Sequence, residues 1–248
     1  MNYKKFAYVY DQLMKDAPYD QWIKITEMLV KKYNLHPSQI IDLGCGTGNI
    51  AIPLSKQGYQ MIGVDLSEEM LSIAFDKMLE SHVSFPLIQQ NMMELDIDQK
   101  VGLIISYCDS FNYLHGIEEV KKAFIQVNKH LEDGAYFIFD MHSPYKFREV
   151  FHGQTFAWND EDISVIWQTE VDIDQLMVNH DLTFFVKQSE RCYEKFQETH
   201  IQQTYSMEMV KQGLEETGFE LEEVFGDFQL QPVQENTERI FYVARKQS

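Results

Sequence analysis

The residues with the clearest chemical potential form the run Asp42-Leu43-Gly44-Cys45-Gly46-Thr47-Gly48. Three glycines spaced two apart remove Cβ atoms from a turn, so a ligand can approach its backbone closely. Asp42 stands two residues before the first glycine and brings negative charge to the same place. That charge opposes a pyrophosphate and suits a ligand that carries a cation. The spacing also departs from the dinucleotide fingerprint GxGxxG, whose third glycine comes one position later. Further polar residues stand just past apolar runs: Asp65 after QMIGV, Asn91 after PLIQQ, Cys108 and Asp109 after VGLIISY, and His142 after AYFIFDM. His142 is a candidate base or acceptor ligand, and Asp109 is a second candidate catalytic group.

These positions make sense only if strands deliver them to one edge. Gln39 to Leu43 reads as a buried strand, and strands and helices then alternate as far as MetHis at 141–142. Ser67 is suited to cap a helix reaching about Leu79. The strand in HVSFPLIQQN is expected to be weak, because Pro86 cannot donate to a ladder. Five strands alternating with helices predict a parallel sheet covered on both faces. Ahead of them, Phe6, Val9, Tyr10, Leu13 and Met14 follow helical spacing over residues 3–16, and Pro18 separates that helix from a second one over 19–33. From about Gln154 to Tyr205 the chain favours antiparallel strands joined by short polar turns. A helix over Ser206–Thr217, stopped by Gly218, and two strands close the chain. The division expected is a doubly wound domain, residues 1–150 and 206–248, carrying a β-rich insertion over 151–205 as an acceptor-side lid.

DLGCGTG, then GVDLSEEML, then QQNMMEL resemble the class I S-adenosylmethionine-dependent methyltransferases over residues 39–140. FAYVYDQLM and the β-rich insertion also resemble a bacterial subgroup, the YqeM-like proteins. S-adenosylmethionine carries an ammonium and a sulfonium and no phosphate, in accord with an acidic turn. The resemblance implies a seven-stranded α/β sheet of order 3-2-1-4-5-7-6 with strand 7 antiparallel. It implies that Gly44, Cys45 and Gly46 present backbone to the methionine moiety, with Asp42 close by. Asp65 would take both ribose hydroxyls and Leu66 would pack on the adenine. Asn91 stands where the family usually has Asp, and its carbonyl oxygen can accept the adenine amino group. Met92 would lie beside the ring, and Cys108 and Asp109 would face the methionine end and the reaction centre. Tyr8 or Tyr10 either packs the first helix or closes over the cofactor, where an aromatic face favours a sulfonium. Asn112 and Tyr113 read as packing residues. Trp158, Trp167 and His180 either line an acceptor pocket or form core.

A formal charge of −18 over 248 residues disfavours DNA, RNA and anionic membranes as partners. Acidic residues crowd the β-rich insertion, where Lys187, Arg191 and Lys195 are the only basic residues between 151 and 200, so a cationic or amine acceptor is expected over a phosphorylated one. Cys45, Cys108 and Cys192 have no CxxC spacing, which argues against a zinc site or a disulfide framework and fits a reducing compartment. MNYKKFAYVYDQLM lacks an apolar h-region, so no signal peptide is expected and a cytoplasmic location is. The function expected is methyl transfer from S-adenosylmethionine to a small molecule. The alternatives are a methyltransferase acting on RNA or protein, a nicotinamide-dependent oxidoreductase, and a cofactor-binding regulator without turnover.

Overall fold

The computed structural model describes residues 9–14 and 17–247. Residues 9–13 are α-helical and Met14 continues them as a 3-10 turn; residues 3–8 and 15–16 of the expected first helix, Tyr8 among them, lie outside the described residues. Pro18 is the N-cap of α1 (Tyr19–Lys32), ahead of the helix's own hydrogen bonds, so its missing N–H costs the helix none. The order that follows is β1 (Ile40–Leu43), α2 (Ala51–Lys56), β2 (Met61–Asp65), α3 (Glu68–Glu80), β3 (Leu87–Gln89), β4 (Val101–Ser106), α4 (Ile117–His130) and β5 (Leu131–His142). Then come β6 (Thr155–Asn159), β7 (Ile163–Asp172), β8 (Met177–Ser189), β9 (Cys192–Gln203), α5 (Met207–Glu216), β10 (Phe219–Gly226) and β11 (Arg239–Lys246).

The main sheet has seven strands in the order β10-β11-β5-β4-β1-β2-β3. It is parallel except at β11, which runs antiparallel to both β5 and β10. This is the order the resemblance implies. Successive strand residues point to opposite faces, and the core divides accordingly. Ile41, Ile104 and Phe137 pack with Val120, Phe124 and Val127 of α4 and Val210 and Leu214 of α5. Their neighbours Ile40, Leu103 and Ile138 pack with Trp22, Ile25 and Leu29 of α1 and Ile52 and Leu54 of α2. Ser67 caps α3 by accepting the Met70 N–H at 3.2 Å. The sheet edge at β3 is three residues long and starts just after Pro86, as a proline without a donor requires.

Residues 155–203 form a second sheet, β6-β7-β8-β9, antiparallel throughout. One of its faces carries Ile163, Val165 and Phe184, packed around Val9 and Leu13 of the N-terminal helix. A π-helical turn, Lys146–Phe151, joins the sheets and was not legible in the sequence. No helix among the described residues is long and apolar enough to cross a membrane.

Candidate active site

The carboxyl ends of β1, β2, β4 and β5 converge on one crevice, the place where open α/β sheets bind ligands. In the turn after β1, Gly44, Gly46 and Gly48 have φ of 81°, 52° and 79°, in the left-handed region that a Cβ penalises. A Cβ on Gly44 would stand 2.6 Å from Ser110 Oγ, so the loops after β1 and β4 touch there. A Cβ on Gly46 would meet nothing within 4 Å, so that glycine faces open space. Gly46→Ala is therefore expected to cost only left-handed strain, about 1–2 kcal/mol. Gly44→Ala is expected to cost a further 1–3 kcal/mol or so for the overpacked contact. Urea denaturation of the two variants checks this ordering, and equal losses would contradict it.

Asp65 braces the turn from β2. The Gly46 N–H donates to its Oδ2 at 2.8 Å and the Ser67 N–H to its Oδ1 at 2.9 Å. Each oxygen keeps a lone pair for a further donor. Leu66 beside it is 66% exposed. Asn91 uses its Oδ1 to accept the Met93 N–H at 2.9 Å, capping the short turn that holds half-buried Met92. The oxygen expected to serve an adenine thus has one lone pair in a cap and one left over.

Asp42 is 2% exposed. Burial, then repulsion from Asp65, pushes its pKa up to about 7, against a hydrogen bond from the Ala51 N–H. Its Oδ2 has no hydrogen-bond partner among the described residues. An unsatisfied buried carboxylate oxygen carries a desolvation penalty of about 1–3 kcal/mol or more. Cys45, also buried, has its thiol pushed up by burial and by Asp42, so it behaves as a small apolar residue there.

On the β4 side, Cys108 and Asp109 both have φ of 55°. Two successive non-glycine residues in the left-handed region store strain, which concentrates at functional sites. The Asp109 N–H donates to Asp140 Oδ1 at 2.9 Å. Its carboxylate accepts from Arg239 Nη2 at 2.9 Å and from Gln202 Nε2 at 2.7 Å, and lies 3.3 Å from His142 Nε2. Burial alone would raise its pKa; His142 and Arg239 outweigh burial and hold it down to about 2. Burial also drives the His142 pKa well below 6.5, so the imidazole is neutral at pH 7 and the standing positive charge is that of Arg239. Arg239 Nη1 lies 2.9 Å from Asp140 Oδ2 but is not aligned for a hydrogen bond. Trp22 Nε1 donates to the same oxygen at 2.5 Å.

This cluster is wired into the second sheet. Trp167 Nε1 donates to His180 Nδ1 at 3.0 Å. The His180 proton must then sit on Nε2, which donates to Gln202 Oε1 at 3.2 Å. Gln202 passes the chain on to Asp109. His142 Nδ1 is buried and has no partner among the described residues. Asn112 ties the two sheets together: it donates to the Gln203 carbonyl at 2.9 Å and accepts the His142 N–H at 2.9 Å. Tyr113 meets His200 of β9 edge-on at 6.0 Å between centroids.

The N-terminal helix closes the crevice. Thr47 Oγ1 and Asn49 Nδ2 donate to Asp11 Oδ1 at 2.6 and 3.1 Å, and Lys77 Nζ does so at 3.0 Å. Tyr10 precedes Asp11 on that helix; burial raises its hydroxyl pKa, helped by Tyr19, Cys108, Tyr113 and Asp109. Of the expected site residues, the crevice thus gathers Asp42, Gly44, Cys45, Gly46, Asp65, Leu66, Asn91, Met92, Cys108, Asp109 and His142. Trp158, by contrast, packs in the cluster around Val9.

A family model for a methyltransferase domain matches residues 40–134. A Geobacillus sp. (strain WCH70) protein is 40% identical over 247 residues, covering 99% of this chain and all of its own. The YqeM protein of Bacillus subtilis (strain 168) is 42% identical, covering 99% of this chain and 98% of its own. Both are named as methyltransferases. A crystal structure of an S-adenosylmethionine-dependent methyltransferase from Clostridium acetobutylicum ATCC 824 superposes with a TM-score of 0.90 at 31% identity, covering 99% of both chains. This chain belongs to the S-adenosylmethionine-dependent methyltransferases.

The crevice fits the family's cofactor on its own terms. An orphaned buried carboxylate oxygen asks for a cation or an N–H, and Gly46 leaves room in front of the backbone. Asp65 keeps lone pairs for a diol beside an exposed leucine. Four residues bonded into this site escape a sequence reading: Asp11, Asp140, Gln202 and Arg239. For Asp140 there is a signal, a carboxylate inside the apolar run AYFIFDMH, since a buried charge needs a partner. Gln202 lies 62 residues and Arg239 99 residues beyond Asp140, and no local pattern ties them to it.

Proposed function

We propose that the protein transfers the methyl group of S-adenosylmethionine to a small acceptor that bears an amine or hydroxyl. The carrying observation is the paired carboxylates at the glycine turn, Asp65 with open lone pairs and Asp42 with an orphaned oxygen. In this reading Asp42 and the backbone of Gly44, Cys45 and Gly46 hold the amino-acid end, and Asp65 holds the ribose hydroxyls. Leu66, Asn91 and Met92 border the adenine, and Cys108 lies at the methionine end. Bound cofactor supplies a methyl group already activated on a sulfonium. The protein then has to align a nucleophile and exclude water.

His142 and Asp109 divide that work. Asp109 is held ionised at about 2, too acidic to take a proton at neutral pH, and its charge, 3.3 Å from His142 Nε2, favours the tautomer with the proton on that nitrogen. The Nδ1 lone pair is then available to an acceptor N–H or O–H and orients its nucleophilic atom. Asp109 and Asp140 pair with Arg239, and Lys146 adds a second positive charge close enough to act on Asp109, so the cluster is held near charge balance. The second sheet and the N-terminal helix roof the crevice, which selects a small molecule over RNA or protein.

Calorimetry tests this. S-adenosylmethionine is expected to bind, Asp65→Ala to weaken it at least a hundredfold (about 2.7 kcal/mol at 1.36 kcal/mol per tenfold), and NAD to give no heat. NAD binding without a response to S-adenosylmethionine would overturn the reading in favour of an oxidoreductase. Production of S-adenosylhomocysteine over a panel of amines, phenols and RNAs then separates acceptor classes.

A further inference from the structure

The helix at residues 9–13 touches three parts of the molecule at once. Its Asp11 accepts hydrogen bonds from Thr47 and Asn49 of the glycine turn. The same carboxylate pairs with Lys77 of α3 at 3.0 Å, and Lys77 also donates to Asn49 Oδ1. Burial would raise the Asp11 pKa, but the bonds from Thr47 and Lys77 outweigh it and lower it, so the latch is ionised at neutral pH. On the other side, Val9 is 2% exposed, and it and Leu13 are packed against Ile163, Val165 and Phe184 of the second sheet. Between them in the chain, Tyr10 is buried and close enough to Cys108, Asp109 and Tyr113 for their charges to act on its hydroxyl.

We propose that Asp11 is a positioning residue that latches this helix onto the glycine turn and so couples cofactor binding to the seating of the second sheet. The inference rests on the reading of the crevice as a cofactor site. The contacts give it a direction. Thr47 belongs to the turn that holds the cofactor, and Asp11 is bonded to Thr47. Settling the turn around a ligand therefore strengthens the latch, and the latch carries Val9 and Leu13 onto the sheet. Coupling of this kind is reciprocal: whatever the latch adds to cofactor affinity, the cofactor adds to the docking of helix and sheet. Charge-assisted hydrogen bonds from three residues, Thr47, Asn49 and Lys77, in a half-buried setting make the effect measurable.

The test uses the full chain and S-adenosylhomocysteine as probe. Calorimetry gives its affinity for the wild type, Asp11→Asn and Asp11→Ala, and hydrogen exchange is followed at residues 9–14 and 163–167 with and without the probe. The asparagine keeps an acceptor for Thr47 and Asn49 and loses the charge facing Lys77. Expected are a loss of affinity of roughly tenfold or more in Asp11→Ala, equal to about 1.4 kcal/mol, and a smaller loss in Asp11→Asn. Probe-induced protection of both segments should appear in the wild type and vanish in Asp11→Ala. A merely structural Asp11 would lower the melting temperature and leave the probe-induced protection of 163–167 in place. That result, or affinity in Asp11→Ala within twofold of wild type, overturns the proposal. If Asp11→Ala does not fold, Thr47→Val removes the same contact from the turn side and is read by the same criteria. A wild type that binds no S-adenosylhomocysteine would overturn the cofactor reading itself, an outcome distinct from binding that ignores Asp11.

Discussion

Asp42→Asn is expected to stabilise the ligand-free protein above neutral pH and to weaken its hold on S-adenosylmethionine. Both effects have one cause. In the folded state the carboxyl titrates at about 7 instead of 3.8, chiefly because it is buried. A raised carboxyl pKa means the folded protein holds a proton that the unfolded chain has released. Stability therefore falls as pH rises from about 4 to 7 and levels off above that. At roughly 1.4 kcal/mol per pKa unit, the ionised side chain costs the empty fold on the order of 4 kcal/mol at pH 8. Asparagine removes the charge and most of that slope. The ammonium of a bound cofactor would favour ionised Asp42, so wild-type affinity should rise between pH 6 and 8 while the variant's stays flat and lower. Urea melts from pH 5 to 8.5, with calorimetry at pH 6 and 8, measure both halves. A variant less stable than wild type at pH 8, or one that binds the cofactor as tightly, would contradict the assignment.

Arg239→Leu is expected to cost about 3–5 kcal/mol, the usual result of removing one partner from a buried ion pair. The guanidinium is 11% exposed, lies 2.9 Å from carboxylates on both Asp109 and Asp140, and sits 5.1 Å from the Trp22 ring centroid. Without it, fully buried Asp140 and the strained Asp109 face each other uncompensated. The pH dependence identifies the mechanism. Asp109 has a depressed pKa, so its stabilising contribution is present above about 4 and is lost as pH falls through 2. Removing Arg239 should shrink that acid limb, and the variant should gain relative to wild type as pH drops from 6 to 3. A loss that is the same at pH 3 and pH 7 would mean that only packing had been removed. Arg239→Lys should recover part of the stability, because it keeps charge but not the two-pronged reach.

The sequence by itself determined the main sheet, its helices and the cofactor turn. The information there is local: β2 and β4 are apolar runs and β1 is broken only by Asp42, α3 and α4 have helical spacing and α3 a serine cap, and Asp42, Asp65 and Asn91 stand at or just past strand ends that any parallel sheet must bring to one edge. Pro86 and Pro18 marked a short strand and a helix break through their missing N–H groups. What only the tertiary structure decided are contacts between groups far apart in the chain. Asp109 reads as a loop residue until β11 and β9 deliver Arg239 and Gln202 to it. Asp11 reads as an ordinary polar position on an amphipathic helix until the helix docks between the glycine turn and the second sheet. The acidity of Asp42 was equally invisible, because a pKa near 7 comes from the exclusion of water, and water is excluded only once α2 closes over β1. Residue type and spacing fix where a carboxylate sits along the chain. The field around it belongs to the folded molecule.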